Sequence, residues 1–166
     1  WIRANAANLS IDSNKIIGKG ISAGGHLISS ISVLQDEDDS DLPNALILFS
    51  PAIDTKDGYF VDLLHEGVDP ISVSALDNLK SGLKMPRTLI LQGETDSLTP
   101  TIHAQAFKEK MHTLGYDCQL KIYEDCGHLF TPSHLDDKGW PQSDPEKLRL
   151  SYIEQAKFYR ELGYVR

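Results

Sequence analysis

The sequence predicts an α/β fold, a three-layer sandwich around a mainly parallel sheet, and three observations carry that prediction. Strand-like and helix-like segments alternate along the chain, as expected when helices cover both faces of a parallel sheet. Ala45-Leu46-Ile47-Leu48-Phe49 is an unbroken apolar run, the pattern of a strand buried on both sides. Finally, Ser22, Asp96 and His128 each stand just beyond a strand segment, at the carboxyl ends where reactive groups gather in open α/β sheets.

The elements follow in order. Trp1 to Asn8 reads as the end of a helix with Trp1, Ile2 and Leu9 as its apolar contacts, and Asp12-Ser13-Asn14 is a turn. A first strand covers about 15–21. A helix over about 23–34 carries Leu27, Ile31 and Leu34 at helical spacing. The acidic run Asp36-Glu37-Asp38-Asp39-Ser40-Asp41 follows. A calcium loop of the EF-hand kind needs glycine at its sixth position and glutamate at its twelfth, where this chain has Asp41 and Ile47, so a solvated acidic loop is the better account.

The second strand is 45–49, closed by Ser50-Pro51. Residues 54–84 have no strong period and read as a small cap or insertion over the sheet. The third strand is 87–91, ending at Gln92-Gly93. Thr99-Pro100 marks a helix start, with Thr99 as N-cap and Pro100 at the first helical position; Phe107, Met111 and Leu114 share a face, and Gly115 stops the helix. The fourth strand is about 119–123. A last helix begins at Asp144-Pro145, carries Tyr152, Ala156 and Tyr159 at helical spacing, and ends near Gly163. A chain of 166 residues without internal repeat is expected to form one domain, 1–166.

Composition narrows the function classes. With 16 basic and 24 acidic residues the formal charge is −8, which repels phosphate backbones and disfavours nucleic acid as a partner. No apolar run approaches the roughly 20 residues of a membrane span, and no secretory signal pattern opens the chain, so the chain reads as soluble. It begins at Trp1 rather than Met and carries no reading of compartment. Cys118 and Cys126 bracket an extended segment whose rise of about 3.3 Å per residue holds them well beyond the roughly 7 Å reach of a disulfide.

The chemistry starts at Gly20-Ile21-Ser22-Ala23-Gly24, a G-x-S-x-G pattern between a strand and a helix. A serine on such a sharp turn needs small neighbours, which Gly20 and Gly24 supply, and the following helix aims backbone N–H groups at an oxyanion. The N–H of Ala23 is the candidate donor. A serine hydroxyl is a weak nucleophile until an imidazole takes its proton, and a carboxylate must hold that imidazole in the right tautomer. His128, in Cys126-Gly127-His128-Leu129-Phe130, is the candidate base, with His134 as a rival in the loop beyond. His26, His65, His103 and His112 fall in helices or the cap. Asp96, in Gly93-Glu94-Thr95-Asp96, is the favoured acid, and Asp54 after the second strand is the alternative. Ser22 and Asp96 are 74 residues apart, Asp96 and His128 32 apart. The second interval suits one helix and one strand returning to the same sheet edge. This chemistry needs no metal and no organic cofactor.

The segments Trp1-Ile2-Arg3-Ala4-Asn5-Ala6-Ala7-Asn8, Ile11-Asp12, Ile16-Ile17 and Gly20-Ile21-Ser22-Ala23-Gly24-Gly25-His26, with Gly93-Glu94-Thr95-Asp96 and Gly127-His128-Leu129-Phe130, resemble the α/β-hydrolase esterases of the hormone-sensitive-lipase-like and feruloyl-esterase-like groups. The resemblance implies an α/β-hydrolase fold and a Ser22–His128–Asp96 triad. Those groups carry a His-Gly-Gly oxyanion loop upstream of the nucleophile, and this sequence has none. The chain therefore resembles their C-terminal half to two-thirds. The strand near Ile17 is then expected to have an open edge, to be covered by a missing segment, a second copy in a homo-oligomer or another chain.

The leading functional expectation is a serine hydrolase acting on a small carboxylic ester through an acyl-enzyme. The modest cap favours short-chain or acetyl esters, and family analogy adds an acylated sugar. The alternatives are a serine peptidase of the prolyl-oligopeptidase type, which would require a gating domain upstream, and a catalytically impaired hydrolase-like binding module.

Overall fold

The computed structural model describes residues 1–35, 42–56 and 59–166; the acidic run at 36–41, where the calcium alternative falls, lies outside them. In chain order the elements are α1 (Ala6–Leu9), β1 (Ile17–Ile21), α2 (Ala23–Val33), β2 (Ala45–Phe49), α3 (Pro70–Val73), α4 (Ala75–Asn78), β3 (Arg87–Gly93), α5 (Thr101–Thr113), β4 (Cys118–Tyr123) and α6 (Pro145–Glu161). The four strands pair in the order β1-β2-β3-β4, all parallel. Ile21 stands level with Phe49, Phe49 with Leu91, and Gly93 with Tyr123, so the carboxyl ends form one continuous edge.

The unbroken apolar run of β2 has a direct cause in this topology. Leu46 and Leu48 face a core built with Val33 of α2, Ala75 of α4, Ile90, and Phe107 and Met111 of α5. Ala45, Ile47 and Phe49 face a second core with Leu89, Leu91, Tyr123, Phe130 and Phe158 of α6. Both faces of β2 are dry, and all five of its residues are buried. The result is a three-layer α/β-hydrolase arrangement.

Helix termini follow their local chemistry. Asp144 caps α6 by accepting from the N–H groups of Glu146 and Lys147, with Pro145 in the first turn. At α5 the expectation fails: the N-cap is Pro100, with extended ψ of 132°, and helix begins at Thr101. Thr99 is drawn instead to the Asp96 carboxylate, a charged acceptor that competes successfully for its N–H and hydroxyl.

Two helical faces also differ from expectation. Leu27, Ile31 and Leu34 are 65, 49 and 47 % exposed, while Gly25, Ser29, Ser30, Ser32 and Val33 turn inward. The elbow helix lies so close to the sheet that only small side chains fit beneath much of it. In α6 the buried positions are Ser151, Gln155 and Phe158, and Tyr152 is exposed. The Gln155 amide oxygen accepts from Lys19 Nζ at 3.0 Å, and that ammonium sits 4.9 Å from the centre of the Phe49 ring. A polar pair thus occupies ground beneath the helix that an apolar stripe was expected to fill.

The N-terminal segment is a 3-10 turn at Arg3–Asn5 leading into α1, and Trp1, Ile2 and Leu9 are exposed rather than packed. Arg3 anchors it through bonds to the carbonyls of Ser13 and Leu42. Cys118 and Cys126 are free and buried; burial pushes their thiols up to about 12 and about 11.

Candidate active site

The elbow forms because β1 delivers the chain to α2 with no spacer. Ser22 is left at φ 52° and ψ −116°, with its N–H bonded to Phe49 O at 2.9 Å and its carbonyl accepting from His26 N at 3.1 Å and Ala52 N at 3.3 Å. The glycine requirement is partly other than expected. A Cβ on Gly20 would come within 2.4 Å of Gly24 O, so Gly20 is needed; a Cβ on Gly24 meets nothing within 4 Å. Gly25 is the second tight position, 2.7 Å from Pro51 Cβ, because the loop after β2 presses on the first turn of α2.

The structure brings Ser22, Asp96 and His128 together and leaves the rivals outside. His128 Nε2 is 3.0 Å from Ser22 Oγ, and His128 Nδ1 lies 3.1 and 3.0 Å from Oδ1 and Oδ2 of Asp96. Asp54 spends its carboxylate on the Lys56 backbone N–H at 2.9 Å and the Lys56 ammonium at 3.7 Å. His134 is exposed. His26 Nδ1 is 3.2 Å from Ala52 O, and burial pulls this ring below its ordinary pKa against the raising effect of that carbonyl. It ties α2 to the loop after β2. Ala23 opens α2 beside Ser22, so its N–H, in the first turn, has no acceptor within the helix.

Asp96 is 6 % exposed and its two oxygens are densely occupied. Oδ1 accepts from the N–H groups of Leu98 at 3.1 Å and Thr99 at 2.8 Å. Oδ2 accepts from Gln92 Nε2 at 2.9 Å and has the Thr99 hydroxyl at 2.9 Å. The carboxylate plane is thereby fixed toward the imidazole. Gln92 holds itself by a second bond to Thr99 O at 2.9 Å, while its Oε1 is buried without a hydrogen-bond partner among the described residues.

Backbone strain concentrates at this edge. Ser22, Ser50, Leu129 and Phe130 all have positive φ, at 52°, 39°, 51° and 64°. Each costs about 1–3 kcal/mol in a non-glycine residue. Ser50 offsets part of it, since its hydroxyl accepts from Leu129 N at 3.1 Å and its carbonyl lies 3.1 Å from the Thr99 hydroxyl.

Gln92, Thr99 and Ser50 were read from sequence only as strand ends and a helix cap, not as site residues. The one available signal was polarity at the mouth of apolar strands, in Gln92 after Leu91 and Ser50 after Phe49. Among the described residues no group of three or more His, Cys, Asp or Glu could hold a metal ion, and no helix is long and apolar enough to cross a membrane.

Comparison with known proteins agrees with this geometry. The family described as alpha/beta hydrolase fold matches residues 1–65. No curated protein matches the sequence. Among solved structures, the apo form of Thermogutta terrifontis esterase 2 is 30 % identical, covers 100 % of this chain and 62 % of its own, and superposes with a TM-score of 0.74. The same esterase phosphonylated by sarin gives 28 % identity, 99 % and 63 % coverage and a TM-score of 0.76. Its butyrate-bound form gives 28 %, 99 %, 63 % and 0.71. This chain spans about three-fifths of the length of those structures. By its parallel sheet and by these similarities, the chain has the α/β-hydrolase fold and resembles an esterase over about three-fifths of that enzyme's length.

Proposed function

We propose that this chain carries the serine-hydrolase centre of a carboxylic ester hydrolase, with Ser22 as nucleophile, His128 as general base and acid, Asp96 as the carboxylate that orients the ring, and the Ala23 N–H as an oxyanion donor. The observation that carries the reading is the unbroken relay from Ser22 Oγ through the two nitrogens of His128 to the buried Asp96.

In the first half-reaction Ser22 Oγ forms a bond to the ester carbonyl carbon as its proton passes to His128 Nε2. The carbonyl oxygen gains negative charge and accepts a hydrogen bond donated by the Ala23 N–H. Asp96 accepts a hydrogen bond from Nδ1–H and stabilises the imidazolium without taking the proton. Collapse of the tetrahedral species expels the alcohol, which leaves with the proton from Nε2. In the second half-reaction water attacks the acyl-enzyme, giving its proton to Nε2, and Ser22 departs with that proton while the acid is released.

Short acyl groups are the favoured substrates. Thermogutta terrifontis esterase 2 has been solved with butyrate and with propionate bound, and in forms phosphorylated by paraoxon and phosphonylated by sarin. Acetyl esters, including those of sugars, belong to the same size class. Residues 54–84 act as a small cap on the single domain. The outer edge of β1 near Ile17 takes a further strand, from another segment or from a second copy in a homo-oligomer.

A fluorophosphonate probe tests the assignment. Labelling is expected at Ser22, abolished in Ser22→Ala and kept in Ser29→Ala. A folded sample that takes up no label would overturn the hydrolase reading for this chain.

A further inference from the structure

Two loops carry the acid and the base, and they are stitched together at both ends. At one end Glu94 N donates to Tyr123 O at 2.9 Å and Thr95 N to Cys126 O at 3.0 Å. At the other end stands Asp137, a residue with no part in the relay. Its Oδ2 accepts from Ser97 N at 3.0 Å and from His128 N at 2.8 Å, and its Oδ1 accepts from the Ser97 hydroxyl. Ser97 adjoins Asp96, and His128 is the base itself, so one carboxylate grips the backbone of both partners.

The fit extends to Gly127. A Cβ there would come within 2.3 Å of Asp137 Oδ2 and 2.9 Å of its Cγ, so the carboxylate occupies the space that the absent side chain leaves. Gly93 is equally confined, since its Cβ would stand 2.1 Å from Gly127 O. Burial pushes the Asp137 carboxyl up, but the Ser97 and His128 donors outweigh it and hold the group below its ordinary value. It is ionised at neutral pH and acts purely as an acceptor.

We propose that Asp137 is a positioning residue for the Asp96–His128 pair, a clamp that sets the spacing of the acid and histidine loops and so the line from Asp96 through His128 to Ser22. The consequence for turnover rests on the serine-hydrolase reading above; the geometric consequence for the pair does not. The clamp works by hydrogen-bond geometry. An asparagine at 137 can place its amide oxygen where Oδ2 stands and turn its NH₂ toward the Ser97 hydroxyl, which then accepts.

The test compares Asp137→Ala, Asp137→Asn and Gly127→Ala in the full chain, at a temperature where melting curves show each folded. Two readouts are taken: the fluorophosphonate labelling rate at Ser22, and the low-field proton NMR resonance of His128 Nδ1–H bonded to Asp96. Asp137→Ala should slow labelling about 10²-fold, the usual effect of a misplacement near 1 Å, and should broaden or lose the resonance. Asp137→Asn should keep the resonance and stay within about threefold of the wild-type rate, as a bond-for-bond replacement should. Gly127→Ala displaces the carboxylate without removing it and should resemble Asp137→Ala, which keeps the test decisive if the alanine variant fails to fold. Full labelling and an intact resonance in folded Asp137→Ala would overturn the clamp and leave Asp137 a stability residue, as would an asparagine variant no better than alanine. If the wild type itself takes no label, the hydrolase reading fails, and the resonance alone decides the clamp.

Discussion

Asp96→Asn probes the relay at its central link, and the structure sets the size of the effect. Oδ1 of Asp96 accepts from two backbone N–H groups, those of Leu98 and Thr99, which hold the asparagine oxygen in that position. The amide NH₂ must then stand where Oδ2 does, 2.9 Å from Gln92 Nε2 and 3.0 Å from His128 Nδ1. Both contacts become donor against donor. Gln92 can turn its amide, because its Oε1 has no partner among the described residues, at the loss of its bond to Thr99 O. His128 keeps Nδ1–H only if it leans wholly on the oxygen at the Oδ1 position, 3.1 Å away and already accepting two N–H groups; otherwise its proton moves to Nε2, and an Nε2–H aimed at Ser22 Oγ, 3.0 Å away, cannot take the serine proton. A wrong tautomer of this kind costs about 10⁴ in turnover, or ~5.4 kcal/mol at 1.36 kcal/mol per tenfold. The disturbed amide bond costs only about 1–3 kcal/mol of stability. The assay is hydrolysis of p-nitrophenyl butyrate and labelling of Ser22, beside a urea melt on the same sample. A folded variant within about tenfold of the wild-type rate would refute the reasoning, and so would loss of activity in Asp54→Asn with Asp96→Asn intact.

Two further outcomes concern the scaffold. Phe158 is the buried apolar anchor of α6, 1 % exposed against the core containing Phe49, Tyr123 and Phe130; Phe158→Ala should cost about 3–5 kcal/mol in urea unfolding, and a loss below about 1 kcal/mol would mean that α6 is held by other contacts. His26 supplies a pH dependence of known sign. Its folded pKa lies below the ordinary value of about 6.5, so as pH falls through that value the unfolded chain takes up a proton the folded chain declines, and stability drops until the folded ring also titrates. The decrease in urea midpoint from about pH 7.5 to about pH 5.5 should be smaller in His26→Asn; an equal decrease in both proteins would remove His26 from the account.

The parts of this fold legible in sequence are those whose cause is local. Ala45–Phe49 read as a doubly buried strand because every residue of it is apolar, and Asp144-Pro145 read as a helix start because cap and N1 chemistry sit side by side. Leu27, Ile31 and Leu34 show where period misleads: the spacing is helical, yet the sheet takes the small face of α2, a choice made by the close approach at Gly20 and Gly25. Thr99 has ordinary N-cap chemistry, but a buried carboxylate three residues earlier is the stronger acceptor. The relay residues were legible through their positions after strands. Their supports were not, because Asp137 reaches back 40 residues to Ser97 and Ser50 reaches 79 forward to Leu129, distances over which no sequence period operates.

The placement of Ser22 on β1 gives the centre an asymmetric mechanical footing. Among the described residues β1 pairs with β2 alone, while Asp96 and His128 ride on β3 and β4, which are bonded to each other and clamped at their loops. The base and acid therefore move as one body and the nucleophile as another, with β2 as the hinge plate between them. Peeling β1 by a single ångström would part Ser22 from His128 while both cores stayed closed, so loss of reactivity should precede loss of the fold as denaturant rises. By the same lever, any strand that docks along the side of β1 away from β2 has its hand on the nucleophile without touching the substrate.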